Sequence, residues 1–291
     1  MSPFGADSRA DAPLGVFDSG LGGLTVVRAL RDALPDERIL YLGDTARVPY
    51  GTRSAETVLR YARSCARVLI DRGVKAIVVA CNTVSAVALE MLRAELDLPV
   101  LGVVEPGARA AVEALGTLDG DPSRPPAKIG VLGTAGTIAS GAYPRAIARE
   151  STRVEVVALP APLLVPLVEE GWLEGEVPRL AIERYLTPLI QAGARVVVLG
   201  CTHYPLLAPL IAEVARGLAG RDVRIVDSAV ATAADVVRAV SDERIPRASG
   251  ASRALPLEVF VTDRPASFQE QASRFLGGGA PPVSQIDLAP G

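Results

Sequence analysis

The sequence is poor in several residue types on which common protein chemistries depend. Its 291 residues include one histidine, three cysteines and two lysines, Lys75 and Lys128. Three cysteines cannot build the framework of disulfides that small secreted proteins use in place of a large core. Aromatic residues make up only 4% of the chain, which disfavours a surface on which nucleic-acid bases stack.

Neither charge nor hydropathy points to a nucleic acid or a membrane as a partner. Thirty basic residues against 33 acidic residues give a formal net charge of -3, whereas a nucleic-acid surface needs a basic face. The longest apolar stretch, residues 156–168, contains three prolines and is too short to cross about 30 Å of hydrocarbon. Residues 1–13 lack the apolar core of a secretory signal. We therefore expect a disordered N-terminal tail over 1–13 and a cytoplasmic protein.

Short apolar runs alternate along the chain with segments of helical periodicity, such as residues 55–72 and 85–96. Runs that are apolar at successive positions are typical of strands covered on both faces. Their alternation with helices predicts α/β architecture with parallel sheets. The candidate strands lie at 14–17, 38–42, 76–80, 99–103, 128–132, 154–157, 195–199, 223–226 and 257–261.

A weak internal repeat indicates that the chain has two related halves. Residues 15–20 resemble 130–136 and residues 78–83 resemble 198–203, at offsets of 115 and 120 residues. A third pair, 101–103 and 225–227, has an offset of 124 residues. The repeat predicts two related doubly wound parallel-sheet domains, with the active site in the cleft between them.

The same pattern gives provisional domain boundaries. We expect the first domain to be discontinuous, over 14–105 and 224–291, and the second to cover 106–223. Residues 118–127 are rich in Asp, Gly, Ser and Pro, which is typical of a loop insertion.

Two of the three cysteines occupy equivalent positions in the repeat. Cys81 and Cys201 each end a predicted strand and precede a predicted helix. Open α/β sheets bind ligands at that end of their strands, and the N-terminus of a helix lowers the pKa of a thiol. We therefore expect two reactive thiols facing one cleft, whereas Cys65, inside a helical pattern, is expected to be a core residue.

Other proton carriers fall at the same strand ends. His203, the only histidine, follows Cys201 by two residues and belongs to the residue type that titrates near neutral pH. Asp18 ends the first strand and can exchange a proton with a neighbouring thiol. If one thiol removes a proton from carbon and the other delivers one to the opposite face, a stereocentre is inverted without a cofactor.

Other chemistries fit these residues less well. Cys81, Cys201, His203 and Asp18 include no Cys-x-x-Cys pair, so we expect no metal. No Gly-Lys-Ser/Thr follows a glycine-rich turn, which argues against a P-loop. Pyridoxal phosphate needs a Schiff-base lysine, and both lysines begin strands, at the edge opposite the site. A thiol hydrolase built on Cys201 and His203 alone would leave Cys81 and Asp18 without a role.

From about residue 14 to about residue 261, the chain resembles the cofactor-independent aspartate/glutamate racemase family. The resemblance is carried by seven blocks in order, at 15–23, 41–45, 48–51, 81–83, 130–134, 165–169 and 200–205. It implies an isomerase that interconverts L- and D-glutamate and so supplies D-glutamate for peptidoglycan synthesis, cell wall biogenesis and cell shape. It also implies two α/β domains and a homodimer. Aspartate as the substrate, and a non-catalytic dicarboxylate-binding module, stay open as alternatives.

The resemblance further implies roles for individual residues. Cys81 and Cys201 would be the two bases, which take the α-proton from the D- and the L-isomer respectively. Asp18 would assist Cys81, while His203 and Glu169 would assist Cys201, with Glu170 as the alternative to Glu169. The residues expected to bind the substrate are Asp18, Ser19, Pro49, Tyr50, Gly51, Asn82, Thr83, Thr134, Thr202 and His203.

Overall fold

The structure, a computed structural model, describes residues 10–116, 126–249 and 257–288. All candidate strands are confirmed, and every strand pair within these ranges is parallel. A further short edge strand near the C-terminus was not predicted. The strands are β1 (Leu14–Asp18), β2 (Ile39–Gly43), β3 (Ala76–Val79), β4 (Val100–Gly102), β5 (Ala127–Gly133), β6 (Val154–Pro160), β7 (Ala194–Gly200), β8 (Arg224–Asp227), β9 (Leu257–Val261) and β10 (Val283–Gln285).

Helices connect these strands. The helix predicted at 55–72 spans Ala55–Asp71, and its buried residues, including Cys65, recur at helical spacing along one face. The pattern at 85–96 forms two helices that meet at Ala88. The α-helices are Leu24–Ala33, Ala55–Asp71, Asn82–Val87, Leu89–Glu95, Val104–Gly116, Ala135–Ala139, Ala142–Glu150, Leu164–Glu169, Glu176–Gln191, Ala208–Ala219, Ser228–Ser241 and Pro265–Leu276, and the 3₁₀ turns are Tyr50–Thr52 and Tyr204–Leu207.

The two sheets share a strand order. The larger sheet runs β10-β9-β2-β1-β3-β4 and the smaller sheet runs β6-β5-β7-β8. When β5 is matched with β1, β6 corresponds to β2, β7 to β3 and β8 to β4. This is the relationship that the internal repeat predicts, and it makes β3 and β7 equivalent strands.

The strand pairing differs from the expected domain boundary at residue 224. Strand β8 pairs with β7 in the smaller sheet, and only β9 returns to the larger sheet, beside β2. Nothing within the sequence of an edge strand shows which sheet it joins. The third repeat pair did, however, match residues 225–227 with β4. The other boundaries stay predictions.

The end of the expected N-terminal tail is packed. The Lys75 Nζ donates to the Ala10 carbonyl at 2.7 Å, and the Ser249 amide donates to Asp11 Oδ1 at 2.9 Å. The rest of the tail, 1–9, and most of the loop predicted at 118–127 lie outside the described residues. Among the helices that the structure describes, none combines the length and apolarity needed to cross a membrane.

Lys75 forms a buried ion pair at the amino edge of the larger sheet. Its Nζ lies 2.5 Å from Glu37 Oε2, and both side chains are almost fully buried. Removing one partner of such a pair leaves an uncompensated charge and costs about 3–5 kcal/mol. We expect Lys75→Met to lower the free energy of unfolding by that amount in a urea titration. The double variant with Glu37→Leu should recover most of the loss, and a neutral single variant would contradict this account.

Candidate active site

Cys81 and Cys201 follow the carboxyl ends of the equivalent strands β3 and β7. Cys81 is the N-cap residue of helix Asn82–Val87, and Cys201 begins the turn that leads into Tyr204–Leu207. Both are buried free cysteines. Because β3 and β7 are equivalent strands, the two thiols occupy equivalent positions in the two sheets.

The surroundings of Cys81 favour its protonated form. Its Sγ donates to Ser19 Oγ at 3.8 Å. Burial, followed by the negative charge of Asp18, raises the pKa of Cys81 to about 12, although the Val84 amide and Ser19 act in the opposite direction. The prediction of a lowered pKa is therefore wrong for Cys81, because loss of solvation outweighs the helix N-terminus.

Asp18 is held by the glycine-rich turn that follows β1. Its Oδ2 accepts from the Gly23 amide at 2.9 Å and from the Gly20 amide at 3.3 Å. A Cβ at Gly23 would lie 2.5 Å from the Asp18 Cβ, so glycine is required for this close approach. The Tyr41 hydroxyl fixes the turn by donating to the Gly20 carbonyl at 2.6 Å. Asp18 Oδ1 is buried and has no hydrogen-bond partner among the described residues.

Cys201, His203 and Glu169 form a chain of three groups. His203 Nδ1 lies 3.9 Å from Cys201 Sγ, and His203 Nε2 donates to Glu169 Oε1 at 3.0 Å. Glu169 ends helix Leu164–Glu169 and is partly buried, whereas Glu170 is exposed. It is therefore Glu169 that reaches the histidine.

The partners of His203 favour its imidazolium form. Burial opposes the charge, but the hydrogen bonds and negative charges of Cys201 and Glu169 outweigh it and raise the pKa of His203 from 6.5 to about 10. Because His203 is the only histidine, its imidazole NMR signals are unambiguous.

We expect these signals to report a protonated ring at about pH 8 and a titration midpoint near 10. Glu169→Gln should lower the midpoint, because it removes the carboxylate that favours the cation. A wild-type midpoint at or below the ordinary value would contradict the described pairing.

An amide and four hydroxyl groups join the two halves of the molecule beside the thiols. Asn82 Oδ1 accepts from the Tyr143 hydroxyl at 2.8 Å, while its buried Nδ2 has no partner among the described residues. Thr83 Oγ1 lies 2.9 Å from Thr134 Oγ1 and 3.3 Å from Thr137 Oγ1. These contacts connect the helix after β3 with the elements that follow β5.

Tyr143 and Thr137 were not identified from the sequence. Thr137 stands three residues after Thr134 at a helix start, a capping spacing that could have identified it. Tyr143 looks like a core aromatic of an amphipathic helix, and no pattern shows that its hydroxyl reaches Asn82.

The segment 48–51 contacts the smaller sheet through Gly51. A Cβ at Gly51 would lie 2.8 Å from the Thr134 Cβ. The Tyr50 side chain is buried, with its hydroxyl hydrogen-bonded to Asp44 Oδ2 and 4.0 Å from Cys65 Sγ. Because the Tyr50 hydroxyl is hydrogen-bonded to Asp44, we expect Tyr50 to contact a ligand only through its main chain. Pro49 is the N-cap residue of the turn Tyr50–Thr52.

The turn after β1 also contacts the Cys201 side of the site. A Cβ at Gly22 would lie 2.1 Å from Thr202 Oγ1 and 2.5 Å from His203 Nδ1. Thr25 Oγ1 donates to the Thr202 carbonyl at 3.0 Å. The turn over residues 18–23 therefore touches the surroundings of both thiols. In the part of the chain that the structure describes, no group of three or more His, Cys, Asp or Glu side chains is arranged to hold a metal ion.

The chain belongs to the Asp/Glu/hydantoin racemase family, whose sequence model matches residues 24–236. The chain is similar to a glutamate racemase of Geobacter metallireducens, at 48% identity over 94% of this chain and 96% of that one. A glutamate racemase of Neisseria meningitidis serogroup C is 44% identical over 95% of this chain and 97% of its own.

Solved structures give the same result for the fold. A glutamate racemase isoform from Bacillus anthracis matches with a TM-score of 0.84 and 35% identity, over 96% of this chain and 98% of that chain. A glutamate racemase from Francisella tularensis in complex with D-glutamate matches with a TM-score of 0.82 and 31% identity, over the same shares of the two chains.

Proposed function

We propose that the chain is a glutamate racemase, an isomerase that interconverts L- and D-glutamate through two thiols and without a cofactor. The observation that carries the proposal is that Cys81 and Cys201, both buried, follow equivalent strands, and that the turn over residues 18–23 touches the surroundings of both. Relatives with 44–48% identity over more than nine-tenths of the chain are glutamate racemases, which supports glutamate over aspartate.

In the proposed reaction, the Cys201 thiolate takes the α-proton of L-glutamate. The electron pair of the broken C–H bond remains on the α-carbon and its carboxylate, and the Cys81 thiol then gives its proton to the opposite face, which yields D-glutamate. D-glutamate reacts in reverse, with Cys81 as the base and Cys201 as the acid. After each turnover the two sulfur atoms have exchanged protonation states and must exchange protons with their neighbours.

The surroundings of the two thiols differ in the groups that contact them. Burial and Asp18 hold Cys81 as a thiol, the acid that L-glutamate needs. The His203 imidazolium, paired with Glu169, gives the thiolate form of Cys201 a counter-ion. For D-glutamate, the Asp18 carboxylate, whose negative charge acts on Cys81, can take up the proton that Cys81 must release.

The buried polar atoms without partners fit an amino-acid zwitterion. Asn82 Nδ2 is a free donor for a carboxylate, and Asp18 Oδ1 is a free acceptor for an ammonium group. Each unpaired buried group costs about 1–3 kcal/mol, so a ligand that satisfies both gains affinity. Ser19, Thr83, Thr134 and Thr202 supply further hydroxyl groups that we propose bind the substrate, and Gly51 lies against Thr134.

We further propose the setting that the family resemblance implies. The enzyme would act in the cytoplasm as a homodimer and would supply D-glutamate for peptidoglycan synthesis. Three free cysteines are compatible with a reducing compartment.

The proposal is tested by incubating the purified protein with L-glutamate, without added cofactor, and following the optical rotation. We expect the rotation to decay to that of the racemate, with L-aspartate changing far more slowly. Folded protein that binds glutamate but leaves its rotation unchanged would favour the dicarboxylate-binding module and refute the racemase.

A further inference from the structure

The helix Pro265–Leu276 reaches the element that carries Glu169. Arg274 Nη1 donates to the Glu169 carbonyl at 2.7 Å and to the Val168 carbonyl at 3.1 Å. These are the last carbonyls of helix Leu164–Glu169. The Val168 carbonyl also accepts from the Gly171 amide at 3.0 Å, whereas the Glu169 carbonyl has no partner within its own helix. A cation at a helix C-terminus is also favoured by the helix dipole.

Two further contacts bring the same helix to the Glu169–His203 pair. Gly171 has a φ of +77°, and a Cβ there would lie 2.8 Å from Arg274 Nη2, so glycine leaves the space that the guanidinium fills. Phe275 is buried, and its ring meets the His203 ring edge-on, with centroids 5.5 Å apart. Arg274 and Phe275 are consecutive in one helix, and they contact Glu169 and His203 respectively.

These contacts differ from an ordinary helix cap because the two helices belong to different halves of the molecule. Helix Pro265–Leu276 follows β9 of the larger sheet and packs on helix Leu24–Ala33. Helix Leu164–Glu169 follows β6 of the smaller sheet. The Arg274 hydrogen bonds thus hold the Glu169 backbone to the opposite half of the molecule.

We propose that Arg274 is a positioning residue, which holds the end of helix Leu164–Glu169 against the larger-sheet half so that Glu169 reaches His203. This inference rests on the proposed function, in which His203 and Glu169 serve Cys201. By this inference, the helix after β9 positions the residues on the Cys201 side of the site.

The kinetic test uses Arg274→Gln, with Glu270→Ala as a control on an exposed position of the same helix. We expect Arg274→Gln to lower kcat about tenfold, a part of the roughly 10²–10⁴-fold that a well-placed acid–base group supplies. The isotope effect on kcat should rise for L-[2-²H]glutamate, which Cys201 deprotonates, and should not rise for the D-isomer. Arg274→Lys, which keeps a cationic donor, should recover part of the loss. A merely destabilised protein would show no such difference between the enantiomers.

A second readout does not depend on turnover. Removing the positive charge of Arg274 would by itself raise the pKa of His203, whereas loss of Glu169 from its position would lower it, because Glu169 favours the imidazolium. We therefore expect the histidine NMR titration to shift to lower pH in Arg274→Gln and to stay unchanged in Glu270→Ala.

An upward or absent shift in Arg274→Gln, or kinetics like those of the control, would overturn the inference while leaving the racemase intact. A wild-type protein without racemase activity would refute the proposed function instead, and the titration would still decide whether Arg274 positions Glu169.

Discussion

Replacement of either Cys81 or Cys201 by alanine should abolish net racemisation, with a loss of kcat on the order of 10³-fold or more. In the proposed reaction each thiol serves one face of the substrate, so one remaining thiol cannot complete the inversion. Because L- and D-glutamate have equal free energies, kcat/KM must fall by the same factor in both directions. The measurement is the initial change of optical rotation, starting from each enantiomer in turn.

Cys65→Ala is the matched control for both variants. Cys65 is also buried and free, but its Sγ lies near Tyr50 and Arg47, at 4.0 Å from the hydroxyl and 3.9 Å from Nη2. We expect this variant to keep most of its activity and to lose about 1–2 kcal/mol of stability. Turnover close to that of the wild type in Cys81→Ala or Cys201→Ala would refute the assignment of two bases.

The second large effect is expected from Gly22→Ala. The added methyl group would lie 2.1 Å from Thr202 Oγ1 and 2.5 Å from His203 Nδ1, distances at which the atoms must move apart. A displacement of about 1 Å at a reacting site can cost about 10²-fold in rate. We expect kcat/KM to fall by about that factor, with the histidine NMR titration also shifted.

Gly217→Ala makes the same chemical change at a harmless position. Gly217 lies in helix Ala208–Ala219, is exposed, and a Cβ there would meet no heavy atom of the described residues within 4 Å. Alanine in a helix interior is favoured over glycine by about 0.5–1 kcal/mol. This variant should therefore be as active as the wild type and slightly more stable, and an active Gly22→Ala would contradict the close contact.

The sequence predicts the strands and the relation of the two sheets because burial on both faces leaves a direct mark on hydropathy. The repeat also matches β8 with β4, although the boundary expected at residue 224 placed β8 in the first domain. β10 was missed because its three residues, Val283–Gln285, include only one apolar side chain. The equivalence of Cys81 and Cys201 also follows from the repeat, because matched strands place their final residues at matched positions.

The sequence does not predict contacts between residues distant in the chain. Tyr143 meets Asn82 and Arg274 meets Glu169 across separations of 61 and 105 residues, and neither pair belongs to a local pattern. The prediction of the pKa of Cys81 is wrong for a related reason. The helix N-terminus is visible in the sequence, but the extent of burial, which outweighs it, is not. The choice of Glu169 over Glu170 likewise needed the position of His203.

We propose that two sulfur atoms serve opposite faces of one α-carbon, and early turnover in deuterated water tests this most directly. With L-glutamate as substrate, the account predicts that newly formed D-glutamate carries deuterium at the α-carbon while the remaining L-glutamate keeps its protium. A single base that serves both faces would return the original proton, and D-glutamate that retains protium would contradict the account.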